Sequence, residues 1–305
     1  MPTRVILDTD IGTDVDDCLA LAVILGSPEL HLEGVTCVYG DVALRARMVR
    51  TLLALRGHPA VPVLLGEREP LLGLRPIYWE GHEGQGLLDP DATDADATTG
   101  DENAVDYIVR TVLDNPEQIH LLAIGPLTNV ALALKRDPRV ARDLAGLTIM
   151  GGALRGPDSL ELPYVEHNLR CDPEAAHLVF TSGAPITLVP LDVTTRVRIT
   201  PAHVARIVAA DTPYHAAIAE QVTRYPRFGR LGYTFLHDPL AAAIVIRPDL
   251  VTLHPVHLDV ELTGRLTAGA TLMRAPTDDA PANVRVALDV NVPAAEAFVI
   301  DRIAT

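Results

Sequence analysis

The chain has 305 residues, 48% of them hydrophobic and 21% charged, which supplies a sizeable core and excludes a disordered polypeptide. Its formal net charge of −15 argues against a nucleic-acid partner, because phosphate binding needs a basic face and none is evident. Cys18, Cys37 and Cys171 are too few and too scattered for a disulfide framework, so buried thiols are expected.

Apolar strand-like and helix-like segments alternate for most of the length. Val5–Leu7 reads as a strand and Asp16–Leu25 as a helix whose first-turn acids suit the positive end of its dipole. Leu32–Val38 is a strand, Ala43–Leu55 a helix and Val61–Leu65 a short strand; Asn103–Leu113 is a helix, Ile119–Ala123 a strand and Leu127–Leu134 a helix. Leu147–Met150 (strand), Pro173–Phe180 (helix) and Ile186–Leu191 (strand) continue the series. The alternation predicts an α/β fold: one domain, 1–305, with a mostly parallel central sheet, helices on both faces and an active site at the carboxyl ends of the strands. Pro201–Val222 looks helical and surface-like, Asp238–Ile246 helical, Val251–Glu261 and Thr267–Met273 an antiparallel pair, and Ala294–Ile303 a closing helix. Two stretches lack periodicity, Gly66–Gly100 and Gly151–Arg170, and long irregular segments of this kind are usually functional loops. No basic segment followed by an apolar one marks a leader, and the apolar run after Asp17 is too short for a bilayer; a soluble, cytoplasmic protein is the expectation.

In an open α/β sheet, ligands sit beyond the carboxyl ends of the strands. The segments there are Asp8–Asp17, Tyr39-Gly40-Asp41, Ile124-Gly125-Pro126-Leu127-Thr128-Asn129 and the run from Gly151, with His237-Asp238-Pro239 joining them from later in the chain. Asp8, Asp10, Asp14, Asp16 and Asp17 crowd into ten positions, a Coulombic cost unless a cation, protons or water offset it. Oxygen donors dominate and no Cys/His spacing suits zinc, so Ca²⁺ or Mg²⁺ is the physical expectation. Helix capping explains one or two of the five acids. An aspartyl-phosphate phosphatase also begins strand-Asp-x-Asp, which would make Asp8 a nucleophile; Ile11 and three further acids depart from its Gly-Thr continuation. The spacing and closing Glu of a calcium-binding helix–loop–helix are missing.

Asp8-Thr-Asp-Ile-Gly-Thr-Asp-Val-Asp-Asp-Cys-Leu-Ala resembles the N-terminal signature of the inosine–uridine-preferring nucleoside hydrolases, Asp-x-Asp-Pro-Gly-x-Asp-Asp-Ala. Ile124-Gly-Pro-Leu-Thr-Asn-Val-Ala, Met150-Gly-Gly-Ala, Glu166-His-Asn with Asp172-Pro-Glu-Ala-Ala, Leu191-Asp-Val-Thr and His237-Asp-Pro-Leu-Ala resemble further blocks of that family, in its order. The resemblance implies an N-ribohydrolase that frees base and ribose from a ribonucleoside through a calcium-bound water activated by an aspartate. It implies that Asp10 ligates Ca²⁺ and takes the water's proton, that Asp17 and Asp238 are calcium ligands with the Ile124 carbonyl, and that Asp8 supports from behind. Asp16, Glu166, Asn168 and Asp238 would hold the ribose, and His237 would assist the departing base. His82, Tyr225 and Tyr233 are candidates for the base pocket. A non-hydrolytic nucleoside- or sugar-binding relative is the alternative outside catalysis. Family members are commonly homodimers or homotetramers.

Four departures from the family pattern bear on the substrate. Two extra residues between Gly12 and the paired acids leave Asp14 without a counterpart, so that it competes with Asp16 for its role. Asp41 replaces the asparagine that follows Gly40 in the pattern, Ile11 replaces proline, and Leu160-Glu161-Leu162-Pro163 stands where an asparagine would meet the 5′ end of the ribose. The metal set is intact and the sugar set altered.

Overall fold

The computed structural model describes residues 1–89, 102–154 and 164–305. Nine strands form one sheet: β1 (Thr3–Thr9), β2 (Leu30–Cys37), β3 (Val63–Leu65), β4 (Ile119–Ala123), β5 (Gly146–Met150), β6 (Ile186–Val189), β9 (Val251–Val260), β10 (Thr271–Arg274) and β11 (Val284–Val290); β7 (Arg198–Ile199) and β8 (Thr234–Phe235) pair separately. The order is β10-β9-β11-β6-β5-β4-β1-β2-β3, parallel from β11 to β3 and antiparallel at the β9 contacts. The mostly parallel sheet and the β9–β10 pair agree with the sequence reading, whereas β11 was not anticipated. Its Val284, Val286 and Val290 are buried and Arg285 faces out, an alternation that carries the strand signal.

Successive side chains of β1 point to opposite faces, Val5 and Leu7 into one apolar cluster and Ile6 into the other, so both faces need a helical cover. The Asp16–Leu25 and His237–Ile246 helices cover one face and pack on each other. Nearly every residue of both is buried, which explains sequences apolar all round rather than amphipathic. The expected helix over Pro201–Val222 is two, Pro201–Val208 and Pro213–Arg224, separated by Asp211 at φ 51 and restarted by Pro213. The irregular connection from Gly151 contains a short helix, His167–Cys171. Residues 90–101 and 155–163, including Leu160 and the segment matched to the 5′ contact, lie outside the described residues.

Candidate active site

β1 is central, paired with β2 and β4, and its carboxyl end delivers the aspartate loop to a rim where two buried helices begin. Each helix opens with acids, placed where unsatisfied amide N–H groups and the dipole favour negative charge. Oxygens of Asp16, Asp17 and Asp238 lie within 4.8 Å of one another, the group of metal-ligand type found among the described residues. The Asp238 N–H donates to Asp16 Oδ2 across the helix pair at 3.2 Å, and the Thr9 hydroxyl donates to Asp17 Oδ1. Burial first, then repulsion from the neighbouring aspartates, drives the carboxyls of Asp16, Asp17 and Asp238 well above their ordinary range. Carboxyl groups buried this close need protons or a cation to offset their repulsion, and an all-carboxylate set could hold a hard divalent ion.

Asp8 lies beneath, fully buried, its Oδ1 accepting from Thr36 Oγ1 at 2.5 Å and Asn129 Nδ2 at 2.7 Å. Among the described residues its Oδ2 has no hydrogen-bond partner, and burial pushes its pKa up to about 7. The same enclosure removes the phosphatase alternative, which needs an accessible Asp8 nucleophile. Asn129 serves as more than a helix residue: its Oδ1 accepts from the Glu67 N–H at 2.8 Å while Nδ2 holds Asp8.

The loop itself is held by Arg45, a residue that reading the sequence did not single out. Fully buried, it donates from Nε to the Tyr39 carbonyl at 2.7 Å, from Nη1 to the carbonyls of Asp10 and Ile11 (the latter at 2.8 Å), and from Nη2 to Thr13 Oγ1 at 3.1 Å. Gly12 has φ 116, and a Cβ there would meet Met48 Sδ at 2.8 Å. A Cβ at Gly125 would lie 2.9 Å from Asp10 N and Oδ1, so β4 can approach β1 only without a side chain at that position.

Glu166 caps the His167–Cys171 helix: Oε1 accepts from Asn168 N at 2.7 Å, and Oε2 from Gly152 N and Leu169 N at 3.1 Å each. Asn168 Nδ2 donates to the Ile124 carbonyl at 2.8 Å and to the Met150 carbonyl at 3.2 Å, leaving Ile124 one lone pair for another partner. Asp41 Oδ1 likewise caps a helix, Val42–Arg56, by accepting from Leu44 N at 3.0 Å. His167, overlooked between two named positions, reaches within 3.9 Å of Asp10 Oδ2 and 3.5 Å of Cys171 Sγ, with the Tyr78 ring edge-on at 5.3 Å. Burial opposes its charge, but Cys171, Asp10 and Glu166 outweigh it and raise its pKa to about 9.

His237 is the first residue of its helix, Nδ1 paired with Thr194 Oγ1 at 2.7 Å and its ring 5.1 Å from that of Phe235. Burial, then the charge of Arg227, pulls its pKa down to about 3, so the ring is neutral near pH 7 instead of titrating there. Asp14 is separate from the metal-type group: Oδ2 accepts from Tyr225 OH at 2.8 Å and Oδ1 from Val15 N at 2.6 Å. His82 Nε2 meets the neighbouring Thr13 carbonyl at 3.2 Å, with its ring edge-on to Tyr225 at 6.4 Å. The inserted residues thus join three segments over the crevice. Tyr233 instead packs on Arg198, 4.3 Å from guanidinium to ring centre.

A parallel sheet carrying buried, mutually repelling carboxylates at its carboxyl rim, with histidines on either side, defines a hydrolytic centre of the metal-dependent type. The chain belongs to the inosine-uridine preferring nucleoside hydrolase family, whose profile matches residues 5–297. It is 34% identical over 278 residues to uridine nucleosidase 1 of Arabidopsis thaliana, covering 88% of this chain and 81% of the relative. It is 33% identical over 282 residues to the inosine-uridine preferring nucleoside hydrolase of Crithidia fasciculata, covering 89% and 88%. Among solved structures, a purine-preferring ribonucleoside hydrolase from Gardnerella vaginalis superposes with a TM-score of 0.87 at 32% identity, covering 99% of this chain and 98% of that one.

Proposed function

We propose that the chain hydrolyses the N-glycosidic bond of a ribonucleoside to free base and ribose, with Asp10 as the base that takes the proton from the attacking water and a calcium ion as the resident cation. The observation that carries this reading is the convergence of Asp16, Asp17 and Asp238 within 4.8 Å at the carboxyl rim, near Asp10, the residue that follows β1. Asp10, Asp17 and Asp238 with the Ile124 carbonyl would hold the ion, and the position of Asp16 puts it within reach as well. A hard divalent cation bound there supplies the Lewis acidity that eases deprotonation of water and a fixed charge for vicinal ribose hydroxyls.

The protein's own groups divide the remaining work. Asp10, only 4% exposed, accepts a proton at its carboxylate, with the His167 ring 3.9 Å away. Cleavage builds oxocarbenium character on the sugar, which the surrounding carboxylates stabilise electrostatically. Asp16, Asp238, Asp41, Glu166 and Asn168 line the ribose side; capping fixes Glu166 and Asp41, so each is pre-oriented and keeps acceptor capacity for a hydroxyl. In the tautomer whose Nδ1 accepts from Thr194, His237 presents Nε2–H as a neutral donor to the departing base, and Tyr225 and His82 border the base site. The relatives named for uridine, inosine and purine nucleosides motivate a mixed substrate panel.

The test is release of reducing sugar from purine and pyrimidine ribonucleosides by chelated and calcium-restored protein. Calcium-dependent release from at least one nucleoside is expected; no release from any would overturn the reading. A cytoplasmic homodimer or homotetramer belongs to the same reading, through the family resemblance, and light scattering of the purified chain decides the assembly.

A further inference from the structure

We infer that Arg45 is a positioning residue for the cation site: its buried guanidinium pins the backbone of the aspartate loop, so that the loop's carboxylates converge without being consumed by an ion pair. This rests on the proposed cation and goes beyond it, because the donors of Arg45 go to main-chain carbonyls and the Thr13 hydroxyl, not to the carboxylates named as ligands.

A buried arginine is ordinarily matched by a carboxylate, and here an acid-rich loop is adjacent. Among the described residues, however, Arg45 has no carboxylate within ion-pair distance; its donors go to the carbonyls of Tyr39, Asp10 and Ile11 and to the Thr13 hydroxyl. Tyr39 sits in the left-handed region at φ 67, a conformation unfavourable for a bulky residue, and its carbonyl is one of those clamped. One face of the guanidinium lies 5.1 Å from the Trp79 ring, which closes the arrangement from the loop after β3. Three chain segments are therefore tied through one planar fork.

The consequence is a division of labour between main chain and side chain. Carbonyls of residues 10 and 11 are consumed inward, so the loop cannot rotate its peptides toward the crevice without leaving buried donors and acceptors unmade. Lysine cannot replace this: an ammonium is a point charge with donors on a single nitrogen and cannot reach four acceptors spread over two segments. Outer residues that orient metal ligands characteristically change metal affinity about 10–100-fold when substituted.

The experiment titrates calcium into chelated wild type, Arg45→Lys and Thr13→Ala by calorimetry, with thermal unfolding of each as a fold control. Leu52→Ala, fully buried about two turns further along the same helix, is the comparison for simple destabilisation. Expected are a roughly 10–100-fold weaker calcium affinity in Arg45→Lys, a smaller loss in Thr13→Ala, and affinity within about twofold of wild type in Leu52→Ala. Calcium binding by Arg45→Lys within about twofold of wild type overturns the inference while leaving the cation standing. So does an equal loss in Leu52→Ala. Should Arg45→Lys fail to fold, Thr13→Ala decides, and unchanged affinity there counts against the role. Absence of calcium binding by wild type overturns the cation reading and this inference with it.

Discussion

Asp10, Asp14 and Asp17 lie within eight residues, on the loop after β1 and the first turn of the next helix, and have three different surroundings: the ring of His167, the hydroxyl of Tyr225, and the hydroxyl of Thr9. Neighbours, not residue type, assign their roles. Asp10→Asn removes the base but keeps an isosteric group, so kcat should fall about 10²–10⁴-fold with a melting temperature near wild type; undiminished turnover would exclude Asp10 as base. The acids were legible because five in ten positions is a costly composition that needs a reason. Arg45 and His167 were not, since what distinguishes each is a spatial partner far along the chain: the loop carbonyls for Arg45 and Asp10 for His167. Asp14, left unplaced by the sequence, belongs with Tyr225 and the crevice wall.

At the scale of elements, β1 and β4 must approach closely where the chain leaves the sheet, and Gly125 permits it. Gly125→Ala places a methyl 2.9 Å from Asp10 N and Oδ1, so activity should drop about tenfold or more as the loop is displaced; steady-state kinetics on the preferred nucleoside check this. Further back along β4, His120 Nε2 meets Thr148 Oγ1 of β5 at 2.9 Å, and burial, aided by the charge of Arg285, lowers its pKa to about 4. The folded ring stays neutral while the unfolded one protonates below about 6.5, so the unfolded state binds the extra proton and stability declines as pH falls from about 6.5 to about 4. Discounted for partial exposure, the loss is about 1–2 kcal/mol. His120→Gln should flatten that part of a denaturation series from pH 7 to pH 4.5; an unchanged slope would show that His120 is not its source. The strands β1, β4, β5 and β6 were readable as short, largely apolar runs, the mark of parallel strands covered on both faces. The helix break at Asp211 depends on one left-handed residue, which periodicity does not register.

At the scale of the molecule, the site works against the stability of the metal-free fold. Asp16, Asp17 and Asp238 carry pKa values raised by burial, so without a cation the folded state takes up protons that the unfolded state releases. The chelated protein should therefore lose stability as pH rises from the ordinary carboxyl range toward neutrality, and calcium should reverse the loss. Asp17→Asn relieves the repulsion: its chelated form should melt a few degrees above chelated wild type, yet gain far less on calcium addition. Scanning calorimetry with and without chelator checks both, and a chelated Asp17→Asn that melts lower would contradict the argument. The sheet order adds a consequence in time. β1 is made early but is flanked by β4, and the acid that completes the rim, Asp238, leaves the ribosome only after eight of the eleven strands have been synthesised. During translation the aspartate loop exists for most of its history as an unbalanced cluster of charge, so a nascent chain ending before residue 238 should hold no calcium at this rim, and loading follows completion of the fold rather than guiding it.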